Sequence, residues 1–69
     1  MNLTVNGKPA SLTEEQISVL ELLDVLKVNQ KEYVTVELNG DILDRADFGT
    51  TQVKDGDGVE FLYFMGGGA

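Results

Sequence analysis

Apolar and polar residues alternate in two separate stretches of the chain. Residues 2–5 (NLTV) place Leu3 and Val5 on one face, and residues 33–38 (YVTVEL) separate three aliphatic side chains from Tyr, Thr and Glu in the same way. A period of two is typical of a strand with one buried face. The sequence therefore predicts a half-buried strand at each position.

Residues 13–28 (TEEQISVLELLDVLKV) follow a helical period instead. Apolar residues recur at i, i+3, i+4 and i+7, so they lie on one face of a helix. They are Val19, Leu22, Leu23 and Leu26. The pattern predicts one amphipathic helix, and Asn29 marks its expected end.

The start of this helix is marked by Ser18 and Glu21, which fit a capping box in which each side chain bonds a backbone amide of the other residue. Ile17 and Leu22 then stand at the two positions of a hydrophobic staple. Thr13, with a glutamine three residues later, is an alternative start. We favour Ser18.

Two Asn-Gly pairs predict tight hairpins. Asn6-Gly7 leads into a return strand at residues 8–12, and Asn39-Gly40 leads into a short one at residues 41–43. Each pair accepts the positive φ angles that a type I′ turn requires. Because Pro9 cannot donate a ladder hydrogen bond, residues 8–12 are expected at a sheet edge.

The stretch before the last strand is polar and irregular. Residues 44–52 contain one apolar anchor, Phe48, and room for a single helical turn. Residues 54–58 (KDGDG) are a cluster of turn formers. They resemble the opening of a calcium loop but run straight into a strand without the later oxygen ligands, so a turn is the preferred interpretation.

The last strand, residues 59–65 (VEFLYFM), is the most apolar of the chain. Glu60, Leu62 and Phe64 share one face, and the glutamate indicates that this face points outward. Leu62 and Phe64 would then be exposed and would form a partner-binding site. The alternative is a central strand that is partly covered on both faces.

The order of strand, strand, helix, strand, short strand and strand predicts an α+β domain of the β-grasp type. Its mixed sheet would have four to five strands, with one main helix packed on one face because neither layer can bury its apolar side alone. The helix would act as the crossover that lets the first and last strands lie parallel. We expect a domain over residues 1–65 and a flexible glycine tail over residues 66–69.

Composition narrows the function classes. The 69 residues include neither cysteine nor histidine, and the net charge is −7. Thiolate metal sites, a thiol nucleophile and the usual general base are excluded, and an acidic surface disfavours nucleic acid. The sequence lacks signal-peptide and membrane-span patterns, so a cytoplasmic protein with no membrane contact is expected.

The glycines at Gly66, Gly67 and Gly68 do not fit a phosphate-binding loop, because no Lys-Ser/Thr and no helix follow. They suit a tail that enters the active site of another protein as bare backbone, since glycine accepts any conformation that a narrow channel imposes. The reacting group would be the terminal carboxylate. Catalytic residues on the chain itself are not expected.

Motifs along the whole chain resemble the ubiquitin-like bacterial sulfur carriers of the ThiS/MoaD family. They are VNGKP, SVLELLDVL, VTVELNGDIL and, most specifically, DGDGVEFLYFMGGG. The resemblance implies that Gly68 is the reactive residue, threaded through Gly66 and Gly67. It implies an E1-like adenylyltransferase of the ThiF type that uses ATP and Mg²⁺, while the carrier itself binds no cofactor.

The resemblance also implies the later steps. Sulfur from a donor of the cysteine desulfurase type would replace AMP, and the resulting thiocarboxylate would serve thiazole synthase in thiamine biosynthesis. Ala69 departs from the family pattern, so a JAMM-type metalloprotease would have to remove it, unless alanine itself carries the acyl group. Homocysteine, cysteine or molybdopterin synthesis, a ubiquitin-like modifier and a non-catalytic interaction domain stay open as alternatives.

Overall fold

The computed structural model describes residues 1–63 of the chain. These residues form seven strands, one α-helix and one short 3-10 helix. In chain order they are β1 (Asn2–Val5), β2 (Lys8–Ser11), β3 (Gln16–Ser18), α1 (Val19–Val25), β4 (Thr35–Leu38), β5 (Asp41–Ile42), the 3-10 helix (Arg45–Asp47), β6 (Gln52–Lys54) and β7 (Gly58–Leu62).

Five of the strands form one mixed sheet in the order β2-β1-β7-β4-β5. Strands β1 and β7 are parallel, and the other neighbours are antiparallel. The predicted fold class and the predicted parallel pairing of the first and last strands are both confirmed. Strand β2, which contains Pro9, lies at an edge as expected.

The core lies between α1 and one face of this sheet. Its fully buried side chains come from the helix, from three strands and from the residue before β4, and they include Val19, Leu22, Leu23, Val34, Val36, Val53 and Val59. Phe48 is 3% exposed and also belongs to this cluster, so its predicted role as an apolar anchor is confirmed. No helix within residues 1–63 is long and apolar enough to span a bilayer.

The local signals at the turns and at the helix start are confirmed. Asn6 and Gly7 have φ angles of 52° and 81°, and Asn39 and Gly40 have 50° and 90°. The Ser18 hydroxyl accepts a hydrogen bond from the Glu21 amide at 3.1 Å, and the Glu21 carboxylate accepts one from the Ser18 amide at 3.1 Å. The capping box is therefore complete.

The predicted end of the helix is wrong. The helix ends at Val25 rather than near Asn29, because Lys27 adopts a left-handed conformation with φ of 55°. The Lys27 amide donates to the Asp24 carbonyl at 3.1 Å, and the Val28 amide donates to the Leu23 carbonyl at 2.9 Å. This is the Schellman pattern, which usually carries glycine at the position that lysine occupies here.

A second, two-stranded sheet was not predicted from the sequence. Strand β3 pairs with β6, and Ile17 lies opposite Val53. Both strands have three residues, which is too short for alternation to be recognised in the sequence. They are held by pairing between distant parts of the chain, and such tertiary context decides strand formation more than local preference does.

Candidate functional site

Strand β7 leads the chain towards the glycine-rich tail. It lies between β1 and β4, so it pairs on both sides: Thr4 is beside Gly58, and Thr35 is opposite Leu62. The described strand that precedes the tail in the sequence therefore lies at the centre of the sheet rather than at an edge.

Two hydrogen bonds hold the end of this strand. The Phe61 amide donates to the Asn6 side-chain oxygen at 2.8 Å, and the Tyr63 hydroxyl donates to the Asn29 carbonyl at 2.6 Å. The Tyr63 bond joins the base of the tail to the loop that follows α1. Both bonds hold the last described residues, Phe61 and Tyr63, in place.

A shallow apolar groove lies beside Tyr63 on the helix side of the sheet. Its volume is about 310 Å³, and its walls include Leu26 and Val28 after the helix, Phe61 in β7 and Val5 in the first hairpin. Phe61 and Val28 are packed against the core. The groove is therefore a depression in the edge of the core at the start of the tail.

The opposite face of the sheet is not covered by the helix, and we call its central part the open face. It comprises Thr35, Glu37, Ile42, Glu60 and Leu62, which the register places side by side on β4, β5 and β7. Ile42 is 67% exposed, and Leu62 is half-buried.

An open notch of about 260 Å³ adjoins Glu37 and Glu60, and its lining includes Gly7, Gly40 and Gly58. We call it the acidic notch. Its glycine-lined wall belongs to the hairpin turns and to the start of β7. The two glutamates are the charged groups of its lining.

The aspartate-rich stretch before β7 forms a turn, as predicted. The Asp57 carboxylate accepts hydrogen bonds from the Lys54 amide at 3.0 Å and from the Asn39 side chain at 3.1 Å. The Asn39 side-chain oxygen in turn accepts a bond from the Gly58 amide at 2.8 Å. These contacts join the turn to the second hairpin and set the start of β7.

Among residues 1–63, no group of three or more potential metal-ligating side chains comes together. The carboxylate of Asp24 accepts a hydrogen bond from Lys31 and raises the pKa of that ammonium above its ordinary value. This pair joins the last turn of α1 to the segment that follows it and lies outside the open face.

The sequence-predicted site residues fall into two groups. Leu62 lies on the open face and is half-buried there. Phe64, Gly66, Gly67 and Gly68 lie outside the described residues, so their roles stay predictions. Sequence reasoning missed the Tyr63 hydrogen bond and the meeting of Glu37 with Glu60, because both depend on which residues the tertiary fold brings together.

Comparisons with known proteins agree with this architecture. A sequence profile described as the ThiS family matches residues 3–68. The crystal structure of a thiamine biosynthesis protein (ThiS) from Geobacter metallireducens is 66% identical and has a TM-score of 0.94, and the match covers 97% of this chain and 99% of that one.

A second structure of the same Geobacter metallireducens protein and a protein of another organism are also similar to this chain. A solution structure of a thiamine biosynthesis protein from Geobacter metallireducens is 66% identical with a TM-score of 0.81, and the match covers 100% of this chain and 90% of that one. A protein of Porphyra purpurea, described as uncharacterized protein ycf40, is 32% identical over 68 residues, which are 99% of this chain and 93% of that protein.

Proposed function

Because this chain belongs to the ThiS family, we propose that it is a sulfur carrier protein of thiamine biosynthesis and acts as a protein cosubstrate rather than as a catalyst. The observation that carries the proposal is the family match over residues 3–68. The 66% identity to a protein described as ThiS, over nearly the whole of both chains, supports the same role.

The reacting group in this proposal is the carboxylate of Gly68. The family match ends at this residue, and in this proposal a JAMM-type metalloprotease removes Ala69 before the reaction. The carboxylate then attacks the α-phosphate of ATP in an E1-like adenylyltransferase of the ThiF type that uses Mg²⁺, which forms the acyl-adenylate and releases pyrophosphate. The carboxylate is a poor electrophile, and adenylation turns it into a mixed anhydride that a sulfur nucleophile can attack.

Sulfur transfer follows. A persulfide, supplied by a donor of the cysteine desulfurase type, attacks the acyl carbon and displaces AMP, which gives an acyl disulfide. A thiol then reduces this disulfide and releases the thiocarboxylate on Gly68. Thiazole synthase then takes the sulfur, and the carboxylate is regenerated. Gly66 and Gly67 let the end of the chain pass through a narrow channel, because they carry no side chain that would block it.

The described part of the chain supports a carrier in two ways. The strand before the tail is anchored at the centre of the sheet, so a partner can hold the domain while the end of the chain enters its active site. The net charge of −7 favours encounter with a basic protein surface and disfavours nucleic acid. We propose a cytoplasmic location, where these partners would work.

Ala69 supports a second candidate within the same chemistry. A carrier that needs trimming can serve homocysteine, cysteine or molybdopterin synthesis instead of thiazole formation, because the fold is common to carriers for different routes. Reconstitution separates these routes. The chain that bears the thiocarboxylate is incubated with thiazole synthase and the other substrates of that enzyme. Formation of the thiazole product favours the thiamine route over the other routes.

The decisive experiment is intact-protein mass spectrometry of the chain purified from its native host without oxidants. We expect a species that lacks one alanine and has one oxygen replaced by sulfur. A chain that ends at Gly68 and the full-length chain are then compared with the adenylyltransferase and ATP in vitro. We expect AMP transfer only to the shorter chain.

Two results would count against the proposal. One is recovery of the full-length chain alone, even under sulfur limitation and with the activating enzyme supplied. The other is isopeptide-linked conjugates to lysines in place of a thiocarboxylate, which would identify a protein modifier. An inert tail, whose deletion changes nothing, would point to an interaction domain.

A further inference from the structure

Glu37 and Glu60 stand directly opposite each other on β4 and β7, in the middle of the five-stranded sheet. Like charges in this arrangement destabilise a pair of strands, because the two side chains project from the same face at close range. Within residues 1–63 the salt bridge found joins Lys31 to Asp24, and neither glutamate takes part in one. The fold therefore places two like charges at facing positions, and neither is paired with an opposite charge within residues 1–63.

A repulsion of this kind is expected where a surface serves binding rather than stability. The acidic notch gives the two carboxylates a common concave space of about 260 Å³. A methyl group at Gly40 would have no other atom within 4 Å, so this side of the notch is open to an incoming group. The space and the charge together suit a cationic side chain.

Arginine suits this site better than lysine. Its planar guanidinium presents several N–H groups in a fixed arrangement and can bond two carboxylates at once. The neighbouring apolar residues favour the same choice: Ile42 lies beside Glu37 and is 67% exposed, and Leu62 is half-buried beside Glu60. Arginine surrounded by apolar contacts is enriched at the centres of protein interfaces.

We propose that the open face docks a partner surface on which an arginine, flanked by apolar side chains, enters the acidic notch between Glu37 and Glu60. The inference rests on the proposed function, in which this partner is the adenylyltransferase. Binding brings a positive charge between the carboxylates and removes their repulsion. The strained pair of the free carrier thus becomes a source of affinity in the complex.

The test measures binding of full-length chain to the E1-like adenylyltransferase of the native host by calorimetry. Glu37→Gln and Glu60→Gln each keep the side-chain size and remove one charge. The matched control is Glu15→Gln, which removes the same charge at an exposed position before β3. We expect each of the first two variants to weaken binding at least tenfold and the control to leave it within about twofold.

Thermal unfolding of the same variants should show a gain in stability, whereas binding shows a loss of affinity. Glu37→Gln and Glu60→Gln relieve the repulsion, so the melting temperature should rise by about 1–8 °C at low salt. A variant that merely damaged the fold would lose stability together with affinity. A gain in stability with a loss of affinity is specific to the proposal.

Gly58→Ala tests whether the partner needs the space of the acidic notch, because it leaves the two glutamate charges unchanged. A methyl group there would lie 3.7 Å from the Asn39 side-chain oxygen, an ordinary contact, so the domain should keep its melting temperature. The added group narrows the acidic notch, whose lining includes Gly58. We expect weaker binding than that of the wild-type chain.

The outcomes separate this inference from the proposed function. If the wild-type chain does not bind the adenylyltransferase, both are overturned. If it binds and the glutamine variants bind as tightly as the Glu15 control, the docking inference alone is overturned. If sedimentation shows a wild-type dimer that Glu60→Gln dissociates, the open face binds a second copy and the proposed partner is wrong.

Discussion

The Tyr63 hydroxyl offers a direct measure of how firmly the base of the tail is held. It donates to the Asn29 carbonyl at 2.6 Å, and the side chain is 44% exposed. Tyr63→Phe removes this one oxygen and keeps the ring at the wall of the groove. A neutral hydrogen bond contributes about 0.5–1.5 kcal/mol to stability, and partial exposure places this one near the lower value, because water can replace the lost donor.

A loss of about 0.5 kcal/mol should lower the melting temperature by about 2–4 °C in a domain of this size. It also raises by about twofold the equilibrium constant for release of the residue 63 ring from the loop at Asn29. Thermal unfolding followed by circular dichroism, with urea midpoints as a second measurement, resolves a change of this size. In the proposed reaction with the adenylyltransferase, KM should rise by no more than this factor while kcat stays unchanged.

The chain contains its own control. Its other tyrosine, Tyr33, is 75% exposed, and its hydroxyl makes no hydrogen bond within the described residues. Tyr33→Phe removes the same atom and should leave both quantities unchanged. Equal melting temperatures for the two phenylalanine variants would refute the reasoning, since the bond to Asn29 would then contribute nothing.

Two further predictions concern the ends of the helix. Ser18→Ala removes the hydroxyl that accepts from the Glu21 amide, while the Ser18 amide can still donate to the Glu21 carboxylate. It should cost about 1 kcal/mol, seen as a melting temperature lower by about 4–8 °C; an unchanged value would contradict the role of the cap. Lys27→Gly removes the side chain that makes a left-handed backbone unfavourable. This gain exceeds the cost of glycine's greater entropy in the unfolded chain, so the urea midpoint should rise by the equivalent of about 0.5 kcal/mol. A lower midpoint would show that the lysine side chain contributes more to stability than its backbone strain costs.

The fold could be predicted from the sequence where a residue type reports directly on its own backbone. Asn6-Gly7 and Asn39-Gly40 indicated hairpins because few other residues accept positive φ, and Ser18 with Glu21 indicated a helix start. Lys27 shows the limit of such signals. Its left-handed conformation is imposed by the packing after the helix, and the presence of a lysine does not predict it.

The candidate site was less predictable, because it depends on register between distant segments. Leu62 was identified from its place in an apolar strand. The pairing of Glu37 with Glu60 follows from the alignment of β4 with β7, which sequence periodicity leaves undetermined. The partner strands β3 and β6 were missed for the same reason, as neither is recognisable without the other.

The central position of β7 also determines how the domain responds to mechanical load. A partner that pulls on the tail along the strand axis loads the hydrogen bonds to β1 and to β4 together. Those bonds must shear at the same time, whereas a strand at the edge of a sheet would peel away one bond after another. The carrier can therefore be drawn into an active site by its end while the rest of the domain resists extraction.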